Sequence, residues 1–247
     1  MNFNEKYGEY KRIVGDTLCG VPGGADSPLN EVIRYSLNAG GKRIRPVLVL
    51  AFCEAYGGDV QKALPVAAAI EILHTSTLIQ DDLPCMDDDD LRRGKPACHK
   101  AFSEADAILT ASKMAFDAIQ MPGDVRIIKT ICRYMSLVYD GQKLDLMNAP
   151  NTLEICELKT CALIQAACVA GVMTAQGGEA AEENAADYAY NLGLAFQLID
   201  DNLDDEGCET AKEDAEKYTR EALRKLENVP NNGFLKELTE NLLDRKN

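Results

Sequence analysis

The sequence predicts an all-α protein that folds as a single domain over residues 1–247. Ala, Leu, Glu and Lys dominate the composition and runs of β-branched residues are few, which favours helix over strand. Apolar residues recur at helical spacing in one stretch after another, and pairs of Gly and Pro separate these stretches. Because 46% of the residues are apolar and no low-complexity linker interrupts the chain, we expect one large core.

The predicted helices have recognisable start and stop signals. Val21-Pro22-Gly23-Gly24 ends the first helix, and Ser27-Pro28 supplies the N-cap and first-turn residues of the second. Gly40-Gly41 ends the second helix, and Gly57-Gly58 ends the third. The predicted helices cover residues 3–19, 27–40, a third stretch containing 47–52, then 60–83, 101–120, 124–145 and 153–175, one that contains 194–205, and two in the tail that separate near residue 230.

The overall charge limits the possible partners. The chain has a formal net charge of −14 and a pI near 4.6. This argues against sequence-independent nucleic-acid binding, which requires a basic face. An anionic substrate would need metal ions and a focused cationic patch to bind so acidic a protein.

The nine cysteines are scattered and form no Cys-x-x-Cys pair. Reduced, mostly buried thiols in a cytoplasmic protein explain them better than a disulfide framework or a zinc site. The segment Met1–Lys6 lacks the apolar core of a signal peptide. We expect no membrane span, because no apolar run approaches the roughly 20 residues that a span requires.

The most unusual stretch runs from Gln80 to Pro96. It places six carboxylates within ten residues, and Arg92 and Arg93 follow them. An apolar helical pattern leads directly into this acid, and buried acid is costly unless a cation or a metal compensates it. The stretch therefore indicates a metal site, with the two arginines as anchors for an anion.

The spacing within this acidic stretch predicts its geometry. Asp81 and Asp87 would point about 240° apart on a straight helix. Pro84 disturbs the helix between them, so we expect a bend that brings Asp87 back beside Asp81. For Asp88–Asp90 we expect ordinary solvated acid at a helix end.

Cationic residues precede and follow this acid. Gly41-Lys42-Arg43-Ile44-Arg45-Pro46 places three cations at the start of a buried helix, which suits a diphosphate. A solvated basic turn is the alternative interpretation. His74 lies about two turns before Asp81 on nearly the same face, and it is either a ligand-binding or a structural residue. Lys159 lies in an apolar stretch, where it extends to solvent or meets a buried anion.

A second acidic stripe lies on Gln197, Asp200, Asp201 and Asp204. Their spacing of i, i+3, i+4 and i+7 puts all four on one helical face. Like charges at this spacing repel, so the stripe is best explained by divalent cations that bridge it to a ligand.

Taken together, these motifs resemble the trans-isoprenyl diphosphate synthases, or polyprenyl synthetases. Six motifs occur in the family's order between about residues 30 and 205. They are Gly40-Gly41-Lys42-Arg43-Ile44-Arg45-Pro46, His74, Asp81 to Arg93 with Gly94-Lys95-Pro96, Gly141-Gln142 with Asp145-Leu146, Lys159-Thr160, and Phe196-Gln197 with Asp200-Asp201-Asn202-Leu203-Asp204. Four residues separate Asp82 from Asp87, as in the bacterial and plant short-chain enzymes that make farnesyl or geranylgeranyl diphosphate.

The resemblance implies an isoprenoid synthase fold, a bundle of roughly ten helices around a central cavity, usually as a homodimer. It implies condensation of isopentenyl diphosphate with dimethylallyl, geranyl or farnesyl diphosphate by ionisation, condensation and elimination. Mg²⁺, as three ions with substrate bound, would neutralise the leaving pyrophosphate. Pyrophosphate itself is expected to take the proton, so no protein base is implied.

The same resemblance implies a role for each site residue. Mg²⁺ would be bound by Asp81, Asp82, Asp87, Asp200, Asp201 and Asp204. Arg92, Lys159 and Thr160 would contact the allylic diphosphate, Lys42, Arg45, His74 and Arg93 would bind isopentenyl diphosphate, and Gln197 would line the site. Catalysis would depend most on Asp81, Asp87, Arg92, Lys159 and Asp200.

In this family, product length depends on residues just before the first acidic motif. Ser76 and Thr77 lie five and four residues before Asp81. Farnesyl-forming relatives often have an aromatic residue at the first of these positions. The small Ser76 would leave a deeper cavity, which favours geranylgeranyl over farnesyl diphosphate as the product.

The sequence departs from the family pattern after Asp205. A loop rich in Gly and Lys usually covers the allylic diphosphate there, but residues 205–210 lead almost directly into the next helix. Segments 110–112, 133–139 and 146–152 are also shorter than the corresponding segments usual in this family. The chain is a naturally lean enzyme, an inactive partner subunit, or part of a longer parent without its flexible loops. The third explanation is favoured because such losses concentrate at lids and connections, and an intact mass above 27.0 kDa would support it.

Two other functions compete with a prenyltransferase. A non-catalytic subunit or binding protein on the same fold would not need to keep both acidic motifs. A class I terpene cyclase also uses an aspartate-rich motif, but it binds no second diphosphate, so the motif Gly40–Pro46 argues against it.

Overall fold

The computed structural model describes the backbone of residues 2–20, 26–204 and 209–243, and within these ranges it leaves out the side chains of 200–204, 209–211 and 243. The described residues confirm the all-α prediction. The helices are α1 (Phe3–Cys19), α2 (Asn30–Leu37), α3 (Ile44–Ala55), α4 (Val60–Asp81), α5 (Cys98–Ala101), α6 (Glu104–Ala118), α7 (Val125–Leu146), α8 (Thr152–Cys156), α9 (Ala162–Thr174), α10 (Glu179–Asp204), α11 (Glu209–Leu226) and α12 (Gly233–Leu243).

Several helix ends differ from the predicted ones. α2 begins at Asn30 because Ser27 and Pro28 form a preceding turn, in which the Ser27 carbonyl accepts from the Asn30 N–H at 3.1 Å. The helix predicted over 101–120 is shorter in the structure, where α6 covers Glu104–Ala118 and the separate α5 ends at Ala101. Ser103 separates them because its hydroxyl accepts from the Asp106 N–H at 3.0 Å and caps α6.

The core is centred on α3, α4 and α9. α3 packs against both α4 and α9, while α10 packs against α9 and α11. The middle of α3 is buried on all sides, with no exposure at Val47, Leu48, Val49, Leu50 and Phe52. These helices supply the rigid frame from which the polar side chains of the site project.

A π-helical turn, Glu157–Cys161, joins α8 to α9 and was not predicted. Together the three elements form the helix expected over 153–175. The Ala162 N–H donates to the Glu157 carbonyl, five residues back, so the turn holds one residue more than an α-helical turn. Lys159 and Thr160 lie in this turn, which therefore sets the direction of both side chains.

A two-residue hairpin is the only strand structure in the described residues. Leu91–Arg92 (β1) pairs antiparallel with Lys95–Pro96 (β2), with Leu91 opposite Pro96 and Arg92 opposite Lys95. Arg93 and Gly94 form the connection with φ of 53° and 76°, the left-handed backbone that a tight two-residue hairpin turn requires. The hairpin presents Arg92 and Arg93 beside the end of α4.

Two helical stretches, Val60–Asp81 and Thr152–Thr174, have the length and apolar character of a membrane span. The expectation that no apolar run reaches this length is therefore wrong, because both stretches are long enough and apolar enough for a span. However, 72% and 61% of their apolar windows are buried inside the fold, as in core helices of proteins that do not cross membranes. Absence of a span remains a prediction.

The segments that look short do not all lie at connections. Residues 110–112 lie within α6, and 133–139 lie within α7, so both fall inside continuous helices. Only 146–152 lies largely between helices. The argument that the missing residues belong to mobile loops therefore fails at two of these three sites, while residues 205–208 lie outside the described part.

Candidate active site

A cavity of about 460 Å³ lies between α4, α6, α7, the π turn and α9. Its polar lining consists mainly of Arg45, His74, Asp81, Gln142, Lys159 and Thr160. Apolar walls come from Leu78, Ile108, Val138 and Leu163. Such a lining suits a ligand with an anionic head and a hydrocarbon tail.

The predicted bend in the acidic stretch is confirmed. The Asp87 N–H donates to the Asp81 carbonyl at 2.9 Å, and the Met86 N–H donates to the Leu83 carbonyl at 2.8 Å. The chain thus doubles back after α4 and brings Asp87 beside Asp81. Burial raises the pKa of Asp81 to about 6, and the neighbouring Asp87 adds to the increase, while Lys159 opposes it.

This donor set fits Mg²⁺. Asp81 and Asp87 supply carboxylate oxygens, and burial raises the pKa of Asp81, so a cation beside it would stabilise its charged form. Among the described residues, no group of three or more His, Cys, Asp or Glu side chains could hold a metal. Mg²⁺ commonly takes one or two carboxylates together with substrate phosphates and waters, so two carboxylates are a suitable half-site.

Lys159 contacts two partly exposed carboxylates rather than extending freely to solvent. Its Nζ lies 2.5 Å from Asp145 Oδ2 and 3.9 Å from Asp87 Oδ2. Asp145 was noted in the sequence only as part of a motif, without a role. The lysine therefore links the end of α7 to the acidic bend.

Asp82 does not line this cavity, and its expected role as a Mg²⁺ ligand remains a prediction. Its side chain is almost fully buried on the hairpin side, where Arg92 Nε donates to Asp82 Oδ1 at 2.8 Å. Arg92 also contacts Asp89 at 3.0 Å. The physical reason is that consecutive helical residues point about 100° apart, so Asp81 and Asp82 cannot both face the cavity.

Two further residues of the acidic stretch are paired. Asp89 binds Arg92, and Asp90 lies 2.7 Å from Lys100 Nζ. Asp88–Asp90 are all exposed, as expected for solvated acid, and the ion pairs of Asp89 and Asp90 lie at the surface. Arg92 is engaged by carboxylates in this structure, and its contact with an allylic diphosphate remains a prediction.

A cluster of arginines extends from the cavity, and Arg45 is its member in the cavity lining. Arg43 forms an ion pair with buried Glu71 and donates to the Leu37 carbonyl, while Arg93 donates to the Gly40 carbonyl. Arg45 Nη1 lies 3.4 Å from His74 Nε2. Glu71, in the apolar run Ile70-Glu71-Ile72, was missed in the sequence, although an acid in such a run indicates a buried cationic partner.

The electrostatics of this cluster favour an anion. The pKa of His74 lies well below its usual value because of burial and the surrounding arginines, above all Arg45, so its imidazole is neutral. Arg45 Nε is buried and has no hydrogen-bond partner among the described residues. Arg43, Arg45 and Arg93 thus lie near a single buried carboxylate, that of Glu71, so this cluster suits an anionic ligand. The backbone carbonyl of Lys42 accepts a hydrogen bond from the Tyr7 hydroxyl at 2.5 Å.

The second acidic stripe is described only in part. Thr160 Oγ1 donates to Gln197 Oε1 at 3.1 Å, which joins the π turn to α10. A second cavity of about 500 Å³ lies there, lined by Asp145, Lys159 and Gln197 among others. The backbones of Asp200, Asp201 and Asp204 belong to α10, but their side chains lie outside the described residues. Their role as Mg²⁺ ligands therefore stays a prediction.

The two expected chain-length residues face different surroundings. Thr77 lines the cavity. Ser76 has no exposed surface, and its hydroxyl donates to the Leu73 carbonyl at 2.7 Å. Ser76 is thus not part of this cavity's lining, and the expectation that its size sets the product length stays a prediction.

Comparisons with known proteins agree with this geometry. A family model for polyprenyl synthetases matches residues 26–224. Geranylgeranyl diphosphate synthase of Cyanophora paradoxa is 43% identical over 217 residues, covering 79% of this chain and 72% of that protein. Farnesyl diphosphate synthase of Micrococcus luteus is 39% identical over 216 residues, covering 81% and 74%. The chain spans just over half, 56%, of the longer chloroplastic geranylgeranyl pyrophosphate synthase 11 of Arabidopsis thaliana, with 41% identity over 198 residues.

Solved structures extend the similarity to nearly the whole chain. The geranyltransferase from Legionella pneumophila has a TM-score of 0.91 at 32% identity, and the match covers 99% of this chain and 98% of that one. An FPP/GFPP synthase from Zymomonas mobilis has a TM-score of 0.84 at 30% identity and covers 98% and 97%.

Proposed function

We propose that this chain, which belongs to the polyprenyl synthetase family, is a prenyltransferase that condenses isopentenyl diphosphate with allylic diphosphates. The product is a short-chain trans-prenyl diphosphate, geranylgeranyl or farnesyl diphosphate. One observation carries the proposal: Asp81, with Asp87 folded back beside it, and Arg45 of the arginine cluster line the same apolar-walled cavity. Each set of charges suits one diphosphate, and the walls suit the hydrocarbon chain.

The chain's own residues account for binding and for the exclusion of water. Mg²⁺ would be held by Asp81 and Asp87 on one side and by Asp200, Asp201 and Asp204 on the other. When bound, it supplies positive charge that stabilises the pyrophosphate released as the allylic C–O bond ionises. Lys159 and Thr160 add donors for the same diphosphate, and three ions with substrate bound is the expected number.

The second substrate, isopentenyl diphosphate, would be bound by Lys42, Arg45, His74 and Arg93. The neutral imidazole of His74 retains one N–H to donate, and Arg45 has an unmet Nε–H to offer. The apolar wall of Leu78, Val138 and Leu163 keeps water from the allylic cation. Carbon–carbon bond formation then competes successfully with hydrolysis.

One assay tests this function. Purified protein is incubated with dimethylallyl and isopentenyl diphosphates and Mg²⁺, and products are separated by chromatography after phosphatase treatment. We expect longer prenyl alcohols with Mg²⁺ and none with excess chelator. Binding of isopentenyl diphosphate without turnover would indicate a binding subunit, and a cyclic hydrocarbon from geranylgeranyl diphosphate alone would indicate a cyclase.

Product length tests the assignment of Thr77. We expect the unsubstituted enzyme to stop at C20 and Thr77→Phe to stop at a shorter product, because the ring fills the cavity. Ser76→Phe should lower the melting temperature more than it changes the product, since Ser76 packs in the core. Chromatography of the products decides between the two positions, and a C15 product from the unsubstituted enzyme would contradict the expected length.

A homodimer is supported by an apolar surface on α6 and α7. Leu109, Phe116 and Val125 are 57%, 67% and 60% exposed, which is unusual for large apolar side chains on a monomer. A second copy of the chain would cover this surface. Sedimentation velocity should then give twice the 27.0 kDa chain mass, and a monomer at micromolar concentration would contradict this proposal.

A cytoplasmic location is supported by the cysteines. The eight described cysteines are all free, four of them buried, while Cys208 lies outside the described residues. Free thiols in this number fit a reducing compartment. Detection of the protein in a fractionated cell tests the location directly.

A further inference from the structure

We propose that Gln142 is a positioning residue that orients the carboxylate of Asp87 for Mg²⁺ and also accepts a hydrogen bond from a water of the metal's hydration shell. The inference rests on the proposed function, and it assigns a task to a side chain to which the sequence motifs gave none. Gln142 lies on the last turns of α7 and lines the cavity.

The position of Gln142 is fixed by the residue before it. A Cβ on Gly141 would lie 2.5 Å from Lys159 N and 2.8 Å from Leu158 Cβ, so only glycine allows α7 to lie directly against the π turn. This backbone contact places Gln142 next to the acidic bend and brings Asp145 within 2.5 Å of Lys159 Nζ. Gln142 therefore lies on α7 beside its close backbone contact with the π turn, which fixes the position of the amide.

The donor side of the amide faces Asp87. Gln142 Nε2 lies 3.3 Å from Asp87 Oδ1, whereas Lys159 Nζ lies 3.9 Å from the other carboxylate oxygen. Lys159 is closer to Asp145, so the amide is the nearer side-chain donor to Asp87. The hydrogen bond to a carboxylate also fixes the orientation of the amide, because the carboxylate accepts and only the NH₂ group donates.

The acceptor side of the amide has no partner in the described residues. Gln142 Oε1 is buried, and the side chain is 8% exposed. Buried carbonyl oxygens are nearly always satisfied by protein or by ordered water. Mg²⁺ usually retains several of its waters in protein sites, and such a water can donate a hydrogen bond through an O–H group. A water bound to the ion beside Asp87 would meet this oxygen.

A neutral amide suits this place better than an ionised group. Asp81, Asp87 and Asp145 already bring three carboxylates to the same region, and Lys159 is shared between two of them. A further acid would repel Asp87, and a further cation would compete with the metal for it. The amide orients the ligand without changing the charge of the site, as partners of metal-ligating carboxylates generally do.

The test measures metal binding rather than turnover. Mn²⁺ replaces Mg²⁺ as a spectroscopic probe, and its binding with inorganic pyrophosphate is followed by electron paramagnetic resonance. We compare the unsubstituted protein with Gln142→Leu and Gln142→Glu. Gln165→Leu is the matched control, because Gln165 is a partly buried glutamine whose Nε2 donates to the Ala186 carbonyl outside this cavity.

We expect Gln142→Leu to weaken Mn²⁺ binding about tenfold or more, in the range found for lost partners of metal ligands. Gln142→Glu should weaken it further, since it adds a charge opposite Asp87, although its shape matches that of glutamine. Gln165→Leu should stay within twofold of the unsubstituted protein. Thermal melting of all variants identifies any that fail to fold.

Two results would overturn the inference. One is binding within twofold for both Gln142 variants, and the other is Gln142→Glu behaving like the unsubstituted protein, which would mean that only the shape matters. If the unsubstituted protein does not bind Mn²⁺ with pyrophosphate at all, the proposed function is contradicted and the inference falls with it.

Discussion

Asp81 and Asp82 are neighbours in the chain and burial raises the pKa of both carboxylates, yet of the two only Asp82 accepts a hydrogen bond from Arg92. Asp81 faces a cavity in which burial and Asp87 raise its pKa to about 6. Asp82 faces the hairpin β1–β2, where Arg92 donates to it and also reaches Asp89. One side of the acidic stretch thus carries uncompensated charge, and the other side is neutralised within the protein.

The difference separates the parts of the site that bind ligands from the parts that hold the site in shape. Charges that the fold already pairs, such as Asp82 with Arg92 and Glu71 with Arg43, fix the hairpin and the loop before α3. Charges that the fold leaves incompletely paired, such as Asp81 and the Nε of Arg45, are available to metal ions and anions. Substitutions on the two sides should therefore fail in different ways.

The largest expected effect lies on the cavity side. Asp81→Ala removes a carboxylate proposed to bind Mg²⁺ and should lower kcat about 1000-fold, the scale on which lost stabilisation of developing charge is measured. Steady-state rates with dimethylallyl and isopentenyl diphosphates give this value. Asp89→Ala is the control from the hairpin side. We expect it to lower kcat less than tenfold, because Arg92 still donates to Asp82. Equal losses in the two variants would remove the distinction between the sides.

The next largest effect is one of stability, on the hairpin side. Asp82→Asn leaves the Arg92 guanidinium without its buried partner and should lower the free energy of unfolding by about 1–3 kcal/mol. The value is below that for a fully buried pair because the Arg92 side chain is 32% exposed. Urea unfolding without Mg²⁺ measures it. If Asp81→Asn is as destabilising as Asp82→Asn, the two carboxylates are not distinguished by their pairing.

The smallest effect is the pH dependence that belongs to Asp81. Its pKa in the fold, about 6, lies above the ordinary value of an aspartate, so the folded protein binds the proton more tightly than the unfolded chain does. Stability from this group is therefore present below about pH 4 and is lost as pH rises through 6. Because Asp81 is only partly buried, we expect about 1–2 kcal/mol between pH 5 and 7.

A double comparison isolates this contribution. Unfolding is measured at pH 5 and 7 without metal for the unsubstituted protein and for Asp81→Asn. The substituted protein should be the more stable one at pH 7 and should show a smaller change with pH. An identical pH dependence in both proteins would show that Asp81 does not titrate in this range.

Much of the fold follows from local sequence patterns, and some of the site does too. Helix spacing with Gly and Pro breaks identified the main helices, and Pro84 correctly indicated the bend that returns Asp87 to Asp81. The partition between Asp81 and Asp82 was not predicted. It depends on how α4 is rotated against α3, α6 and α9, and this rotation is fixed by packing between residues distant in sequence.

The missed features have the same origin. The left-handed backbone of Arg93 shows no signal beyond the glycine that follows it, and the buried pair of Arg43 and Glu71 joins residues far apart in the chain. The π turn is set by the contact of Leu158 and Lys159 with Gly141 on another helix. Such features result from tertiary contacts that override local preference, so motif spacing indicates which residues matter better than it indicates where they point.

The π turn at Glu157–Cys161 also bears on how this chain tolerates insertions and deletions. In a helix that continues on both sides, a π turn is equivalent to one inserted residue. Deletion of a single residue there would restore an α-helical register and rotate α8 and the residues of the turn by about 100° relative to α9. Lys159 and Thr160 would then turn away from Asp145 and Gln197 while the core stayed intact. Length changes at this turn should thus be rejected in any library selected for activity, although the same library selected for folding alone would accept them.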